Sequence, residues 1–262
     1  MALLNVDFFS EVIGMCMQME VILPERTRGQ IGMQGQKGSG KIPVLYLLHG
    51  MSDDHTIWLR RTSIERYVSS LGIAVIMPTT HLGWYTDMAY GNRYWTYISE
   101  ELPKICHSFF ADLSEEREDT FAAGLSMGGY GALKLGLGTD RFGAVASLSG
   151  AVKVGLEASD AMKRQPYWQG VFGDMTKIKG SGNDLFRLAK EKKERAGKGE
   201  HLPKIYMCCG TEDRLLEDNR DMKKYLEENG YDLTYEESPG NHEWGYWDVN
   251  IQKVLAWLPI HG

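Results

Sequence analysis

Five short runs of uninterrupted apolar character, Val44–Leu48, Ile73–Met77, Thr120–Ala123, Ala144–Leu148 and Ile205–Cys209, constrain this chain more than any other feature. A strand with one face in water alternates apolar and polar residues, so an unbroken run marks a strand covered on both faces. Helix-length segments lie between these runs, at 62–71, 95–110, 127–137 and 216–229. Strand and helix in alternation predict a mostly parallel, doubly wound α/β sheet with helices on both faces. Ahead of it, the apolar residues from Asn5 to Leu23 are broken at Ile13-Gly14, which predicts an antiparallel hairpin leading into the sheet. Behind it, an alternating strand Leu233–Glu237 precedes an amphipathic helix near 244–258.

With 262 residues, 43% of them hydrophobic, the chain has enough apolar side chain for one large core, and a single domain spanning 1–262 is expected. The interval 152–203 breaks the alternation with Trp168, Phe172-Gly173-Asp174 and several Gly-rich turns. It predicts a cap-like insertion after the sixth strand, either a lid or a plain pair of surface helices.

Charge excludes some functions. A net charge of −6 leaves no basic field for phosphates, so nucleic acid is not an expected partner. The mixed run Lys190-Glu191-Lys192-Lys193-Glu194-Arg195 alternates sign at helical spacing and reads as a solvated helix face. No stretch approaches the ~20 apolar residues of a membrane span. The start, Met1 to Asp7, lacks the basic and apolar regions of a signal peptide. Two of the four cysteines, Cys208 and Cys209, are vicinal inside an apolar run, which suits free thiols in a reducing cytoplasm better than a disulfide framework.

Two Gly-rich motifs compete for chemistry. Gly35-Gln36-Lys37-Gly38-Ser39-Gly40-Lys41 imitates a phosphate-binding loop, but Ile42 stands where a hydroxyl should hold magnesium, and Pro43 and a strand follow where a helix is required. It reads as a connection. Gly124-Leu125-Ser126-Met127-Gly128 is a weak pattern by itself. Here it follows the strand Thr120–Ala123 and opens onto Gly129-Tyr130-Gly131-Ala132-Leu133, a plausible helix, and that strand–turn–helix setting is the one a nucleophile elbow needs. Such a turn strains the serine backbone, and side chains at Gly124 and Gly128 would collide with the adjoining strand and helix.

A serine hydroxyl becomes nucleophilic when a histidine, oriented by a carboxylate, takes its proton. The required order is Ser, acid, His. Gly210-Thr211-Glu212-Asp213 places a carboxylate after one parallel strand, with Asp213 preferred and Glu212 as its rival. Ser238-Pro239-Gly240-Asn241-His242 places an imidazole after the next. His81, His107, His201 and His261 lie elsewhere in the pattern.

Negative charge developing on the substrate oxygen needs backbone N–H donors. Met127, at the start of the helix, is one candidate, and Met51 of His49-Gly50-Met51 is the second, with Gly50 as alternate. His49, Asp53, Asp54 and His55 crowd the same loop, where they read as buttressing rather than as metal ligands. No metal and no cofactor are expected. Trp58, Trp84, Trp168 and Trp244 fall near the site, as core or as walls of an acyl or phenolic pocket.

These residues carry a resemblance. Tyr46-Leu47-Leu48-His49-Gly50-Met51, Trp84-Tyr85-Thr86-Asp87-Met88, Tyr97-Ile98-Ser99-Glu100-Glu101-Leu102-Pro103, the Ser126 motif, Gly210-Thr211-Glu212-Asp213 and Asn241-His242-Glu243-Trp244 span nearly the whole chain. Together they resemble the family of α/β-hydrolases that contains esterase D, S-formylglutathione hydrolases, tributyrin esterases, feruloyl esterases and mycolyltransferases, and most closely its tributyrin-esterase branch. The resemblance implies an α/β-hydrolase fold and a Ser126–His242–Asp213 triad. It also implies a serine carboxylesterase for short-chain, aryl or hydroxycinnamoyl esters, some of them carbohydrate-linked, with a thioesterase or acyltransferase as alternatives; the sequence leaves the oligomeric state open, a homo-oligomer included. The Gly-Leu-Ser elbow differs from the Gly-His-Ser form common among formylglutathione hydrolases.

Overall fold

The computed structural model describes residues 1–156 and 159–260. Its strands are β1 (Ala2–Ser10), β2 (Met15–Leu23), β3 (Val44–Leu48), β4 (Ala74–Pro78), β5 (Thr120–Leu125), β6 (Ala144–Leu148), β7 (Lys204–Gly210) and β8 (Leu233–Ser238). Its helices are α1 (Ile57–Arg61), α2 (Ile64–Val68), α3 (Tyr94–Thr96), α4 (Leu102–Phe109), α5 (Met127–Gly138), α6 (Asp160–Lys163), α7 (Pro166–Phe172), α8 (Leu185–Ala196), α9 (Leu216–Glu228) and α10 (Trp244–Trp257). A π-helical turn, Tyr97–Glu101, joins α3 to α4.

The strands of the described residues form one eight-stranded sheet in the order β1-β2-β4-β3-β5-β6-β7-β8. From β4 to β8 neighbouring strands run parallel. The β1–β2 hairpin pairs Ala2 with Leu23 through Ser10 with Met15 and joins β4 antiparallel. This is the expected α/β-hydrolase fold, with the hairpin where the Ile13-Gly14 break put it.

Period-2 alternation sorts the apolar side chains into two layers. In β3, Val44, Tyr46 and Leu48 enter one core, with α4, α5, α8 and α9. Leu45 and Leu47 enter the other, with α1, α2 and α10. Burial on both faces is why these strands are almost wholly apolar, and β3 to β6 are buried throughout, Thr120 and Ser147 included.

The interval 152–203 falls into two parts. Helix α8 presents Leu185, Leu188 and Ala189 to the first core. Its buried Lys192 donates to Thr139 O at 2.9 Å and pairs with Asp140 at 2.7 Å and Glu200 at 2.8 Å. Helix α8 is therefore a crossover helix of the sheet, and its charge pattern conceals that because most of its ions face water while Lys192 lies on the buried face with its own counter-charges. Ahead of it lie the short helices α6 and α7, whose Met162 and Trp168 share a cavity with Ser126 at the carboxyl end of β5.

One constraint places the site. A Cβ on Gly124 would land on the backbone of Gly128, and a Cβ on Gly128 would come within 2.5 Å of Leu48 O and 2.7 Å of His49 O. Strand β5, helix α5 and the end of β3 thus approach as closely as backbones can. Gly128→Ala forces the helix away from β3. We expect a loss of stability of roughly 1–3 kcal/mol, read as a lower denaturant midpoint; an unchanged midpoint would show that this contact can relax freely.

Candidate active site

Ser126 stands between β5 and α5 at φ 53°, ψ −115°, a region that L residues seldom occupy. Its N–H donates to Leu148 O at 2.9 Å, and its carbonyl accepts from Tyr130 N and Ala151 N, both at 3.1 Å. These three bonds hold the strained turn between β6 and the helix. Helix α5 begins at Met127, whose N–H has no partner within the helix and sits at the positive end of the helix dipole.

The loops after β7 and β8 bring Asp213 and His242 to the serine. His242 Nε2 lies 2.9 Å from Ser126 Oγ, and His242 Nδ1 lies 2.8 Å from Asp213 Oδ2. Asp213 Oδ1 accepts from Leu215 N at 2.9 Å, so both carboxylate oxygens are engaged. Burial pulls the Asp213 carboxyl upward, but its hydrogen bonds from His242 and Leu215 outweigh that and hold it below the ordinary value. A carboxylate held anionic beside Nδ1 keeps the proton there and leaves Nε2 free to accept from the serine. The His242 ring is further oriented by Trp247, packed edge-on with ring centroids 4.9 Å apart. Glu212, the rival carboxylate, instead accepts from Gly240 N at 2.5 Å and from Thr211. It ties the His242 loop to the Asp213 loop and does not reach the imidazole.

The loop after β3 is set by His49. This buried ring accepts from Thr80 N on Nε2 at 3.0 Å, so its proton is on Nδ1, which donates to Gly50 O at 2.7 Å. Burial lowers its pKa to about 4, well below the ordinary 6.5. No cis peptide occurs among the described residues, and in a trans peptide the C=O and N–H point opposite ways. Holding the Gly50 carbonyl therefore turns the Met51 N–H away from His49. Elsewhere on the loop, His55 Nδ1 lies 2.7 Å from Thr79 Oγ1, and Asp54 accepts from Thr56 N and Oγ1. These polar residues fasten the loop to its surroundings. Among the described residues no group of three or more His, Cys, Asp or Glu side chains could hold a metal ion.

Chain-wide similarity accords with this geometry. A family model described as "Putative esterase" matches residues 10–258. The chain belongs to this family. It is 32% identical over 266 residues to an acetyl esterase of Caldicellulosiruptor saccharolyticus, covering 98% of each chain. Two solved structures from Staphylococcus aureus are also similar. One, a fluorophosphonate-binding serine hydrolase, is 33% identical with a TM-score of 0.84 over 100% of this chain and 99% of that one. The other, an S-formylglutathione hydrolase, is 34% identical with a TM-score of 0.83 over 98% of both chains. The activity class is hydrolysis of carboxylic esters.

Two cavities of the esterase meet at Ser126. The first, of about 390 Å³, is walled by Trp84, Trp168, Met162 and Val154. The second, of about 360 Å³, is bounded by Gly50, Asp53, His242, Trp244 and Trp247. Met51 lines both. Of the four expected aromatics, Trp84, Trp168 and Trp244 are therefore wall residues, whereas Trp58 lines neither cavity. It is fully buried in the second core, donates from Nε1 to Leu48 O at 3.1 Å and packs edge-on against Trp244. The phosphate-loop imitation behaves as a connection: Lys37 pairs with Asp112 at 2.8 Å, and Lys41 donates to Ala111 O. His81 bonds Tyr94 OH at 2.9 Å, and His107 belongs to α4. His261 lies outside the described residues. Sequence reasoning missed the tie made by His49, the orienting ring of Trp247 and the cation Arg214, which lines both cavities.

A pH dependence follows from His49. Its folded pKa is depressed, so between about 4 and 6.5 the unfolded chain binds a proton that the folded esterase does not, and stability falls as pH drops through that window. Urea unfolding from about pH 7 to about pH 4.5 should show this loss, and His49→Asn should have a shallower slope; equal slopes would mean that His49 is not held neutral.

Proposed function

We propose that Ser126, His242 and Asp213 form the catalytic triad of a serine carboxylesterase for short acyl, aryl or hydroxycinnamoyl esters. The observation that carries this reading is the unbroken chain of contacts from Asp213 through His242 to Ser126, at 2.8 and 2.9 Å. In the first step His242 Nε2 takes the hydroxyl proton as Ser126 Oγ attacks the ester carbonyl. The carbonyl oxygen, now negative, is met by the N–H groups of Met127 and Met51, with Gly50 N–H as the alternate to the latter. Asp213 stabilises the imidazolium without taking its proton. Collapse of the tetrahedral species passes that proton to the departing alcohol and leaves an acyl-serine. Water then attacks the acyl-serine with His242 as base, releasing the acid and restoring the hydroxyl.

The size and lining of the cavities support small substrates. A cavity of about 390 Å³ walled by Trp84, Trp168, Met162 and Val154 suits a short acyl chain or a single aromatic ring. Helices α6 and α7 act as a cap on this side. Trp84 Nε1 donates to Tyr167 OH at 2.8 Å, and the Trp84 and Trp168 rings lie 5.3 Å apart, so the cap rests directly on the cavity wall. The free thiols Cys106, Cys208 and Cys209 are buried, and Cys16 is exposed, which fits a reducing compartment such as the cytoplasm.

A second reading, S-formylglutathione hydrolysis, is favoured by the 34% identity to the Staphylococcus aureus enzyme of that name. The same acyl-serine chemistry serves a thioester. Turnover of p-nitrophenyl acetate, a feruloyl ester and S-formylglutathione, measured side by side, separates the two; selective cleavage of the thioester would displace the carboxylesterase reading.

The triad itself is tested by substitution. Ser126→Ala and His242→Ala should each lower kcat by about 10⁴-fold or more, and Ser126→Ala should lose covalent labelling by a fluorophosphonate. Full activity in Ser126→Ala, or an adduct on another residue, would overturn the assignment.

A further inference from the structure

The turn that presents Asp213 also sets a cation at the mouth of the site. Arg214 is exposed, and with Met51 and Ser126 it is one of the three residues common to both cavities. Its backbone is fixed from both sides. Asp213 N donates to Gly210 O at 3.1 Å, Leu216 N donates to Asp213 O at 3.0 Å, and Leu215 N donates to Asp213 Oδ1 at 2.9 Å. A side chain rooted in so rigid a turn starts from a defined point beside the nucleophile.

Among the described residues no carboxylate or carbonyl pairs with this guanidinium. The other cation in the first cavity, Lys153, is committed to Asp221 at 2.6 Å and Asp218 at 3.5 Å. One turn along α9, Arg220 is held by Glu237 and Glu217, both at 2.7 Å. Asp53 faces the second cavity, but the cations that act on it are Arg61 and Arg60. In a chain of net charge −6 where Lys153 and Arg220 are paired, an arginine at the nucleophile with no partner among the described residues is an open binding group. Guanidinium presents a planar fork that matches a carboxylate with two parallel hydrogen bonds.

Resting on the reading of Ser126 as nucleophile, we propose that Arg214 recognises a carboxylate on the substrate, so that the preferred substrate is an ester or thioester with an anionic arm. The apolar wall of Trp84, Val154, Met162 and Trp168 takes the uncharged part of such an arm, and its carboxylate ends at the cavity mouth. The overall field repels anions, and salt screens an exposed cation beyond a Debye length of roughly 10 Å, so the contact acts over short range. Arg214 reaches both cavities, so the carboxylate can belong to the acyl side, as in a monoester of a dicarboxylic acid, or to the leaving-group side, as in a carboxyaryl ester or a peptide thioester.

Two matched substrate pairs test the proposal and separate these sources. For the acyl side, p-nitrophenyl hydrogen succinate is compared with its methyl diester; for the leaving-group side, 4-acetoxybenzoate is compared with 4-acetoxybenzamide. The ratio of kcat/KM within a pair, measured in the unsubstituted protein, Arg214→Gln and Arg214→Lys, cancels intrinsic reactivity and any factor common to both members. In at least one pair, Arg214→Gln should lower the preference for the carboxylate by about tenfold or more. Arg214→Lys should keep part of it, and added salt should shrink it. Unchanged ratios in both pairs would overturn the proposal while leaving the esterase reading intact. Hydrolysis of neither member, without fluorophosphonate labelling, would instead sink the Ser126 reading and this inference with it.

Discussion

The conformation of Ser126 is the constraint on which the rest of the structure depends. A non-glycine residue at φ 53°, ψ −115° costs roughly 1–3 kcal/mol, and it persists only where the surroundings over-determine it. Here the surroundings are the sheet itself. The register of β5 against β6 places Leu148 O where it accepts the Ser126 N–H, and the register of β5 against β3 brings Gly128 under the carbonyls of Leu48 and His49. The strain is thus held by three parallel strands and one helix, none of which can shift without moving the others. The same contacts push the hydroxyl clear of the sheet and start α5 immediately behind it, so one backbone geometry delivers both the Ser126 hydroxyl and a positive helix end.

Parallel strands have a second consequence. Their carboxyl ends lie on one edge, and every loop that follows them opens there. Ser126 after β5, Asp213 after β7, His242 after β8 and the His49 loop after β3 converge although up to 193 residues separate them in the chain. This is why so much of the site was legible in the sequence. Once an apolar run is recognised as a parallel strand, the residues just after it are assigned to the edge without any knowledge of tertiary contacts. Sequence offers Glu212 as a rival to Asp213, because adjacent carboxylates on one turn differ only in direction. In the fold the Gly240 N–H engages Glu212 away from the imidazole, while Asp213 lies against it.

What the sequence concealed has a common cause: local pattern records polarity but not which side of the sheet a residue faces. Trp58 is aromatic and close in sequence to the His49 loop, yet it belongs to the second core and supports the end of β3 from beneath. Helix α8 looked solvated because its charges outnumber its apolar residues, but Leu185, Leu188 and Ala189 suffice to bind it to α5. Arg214 had no signal beyond its position next to Asp213. Its significance arises only from what surrounds it, two cavities whose carboxylates, Asp218 and Asp53, are engaged with other cations, and no partner for its guanidinium among the described residues.

Burial also explains how one site keeps two histidines in different roles. His49 is enclosed, its ring nitrogens are fully used by Thr80 N and Gly50 O, and desolvation makes it a fixed neutral strut. His242 is partly open, with one nitrogen on a carboxylate and the other on a hydroxyl, which is the setting that the proposed base requires. Exchanging these environments would undo both arrangements, since a strut that titrates would release the Gly50 peptide and the proposed base would lose its carboxylate partner. Division of labour between chemically identical side chains is set by the depth at which the β3 and β8 loops hold them.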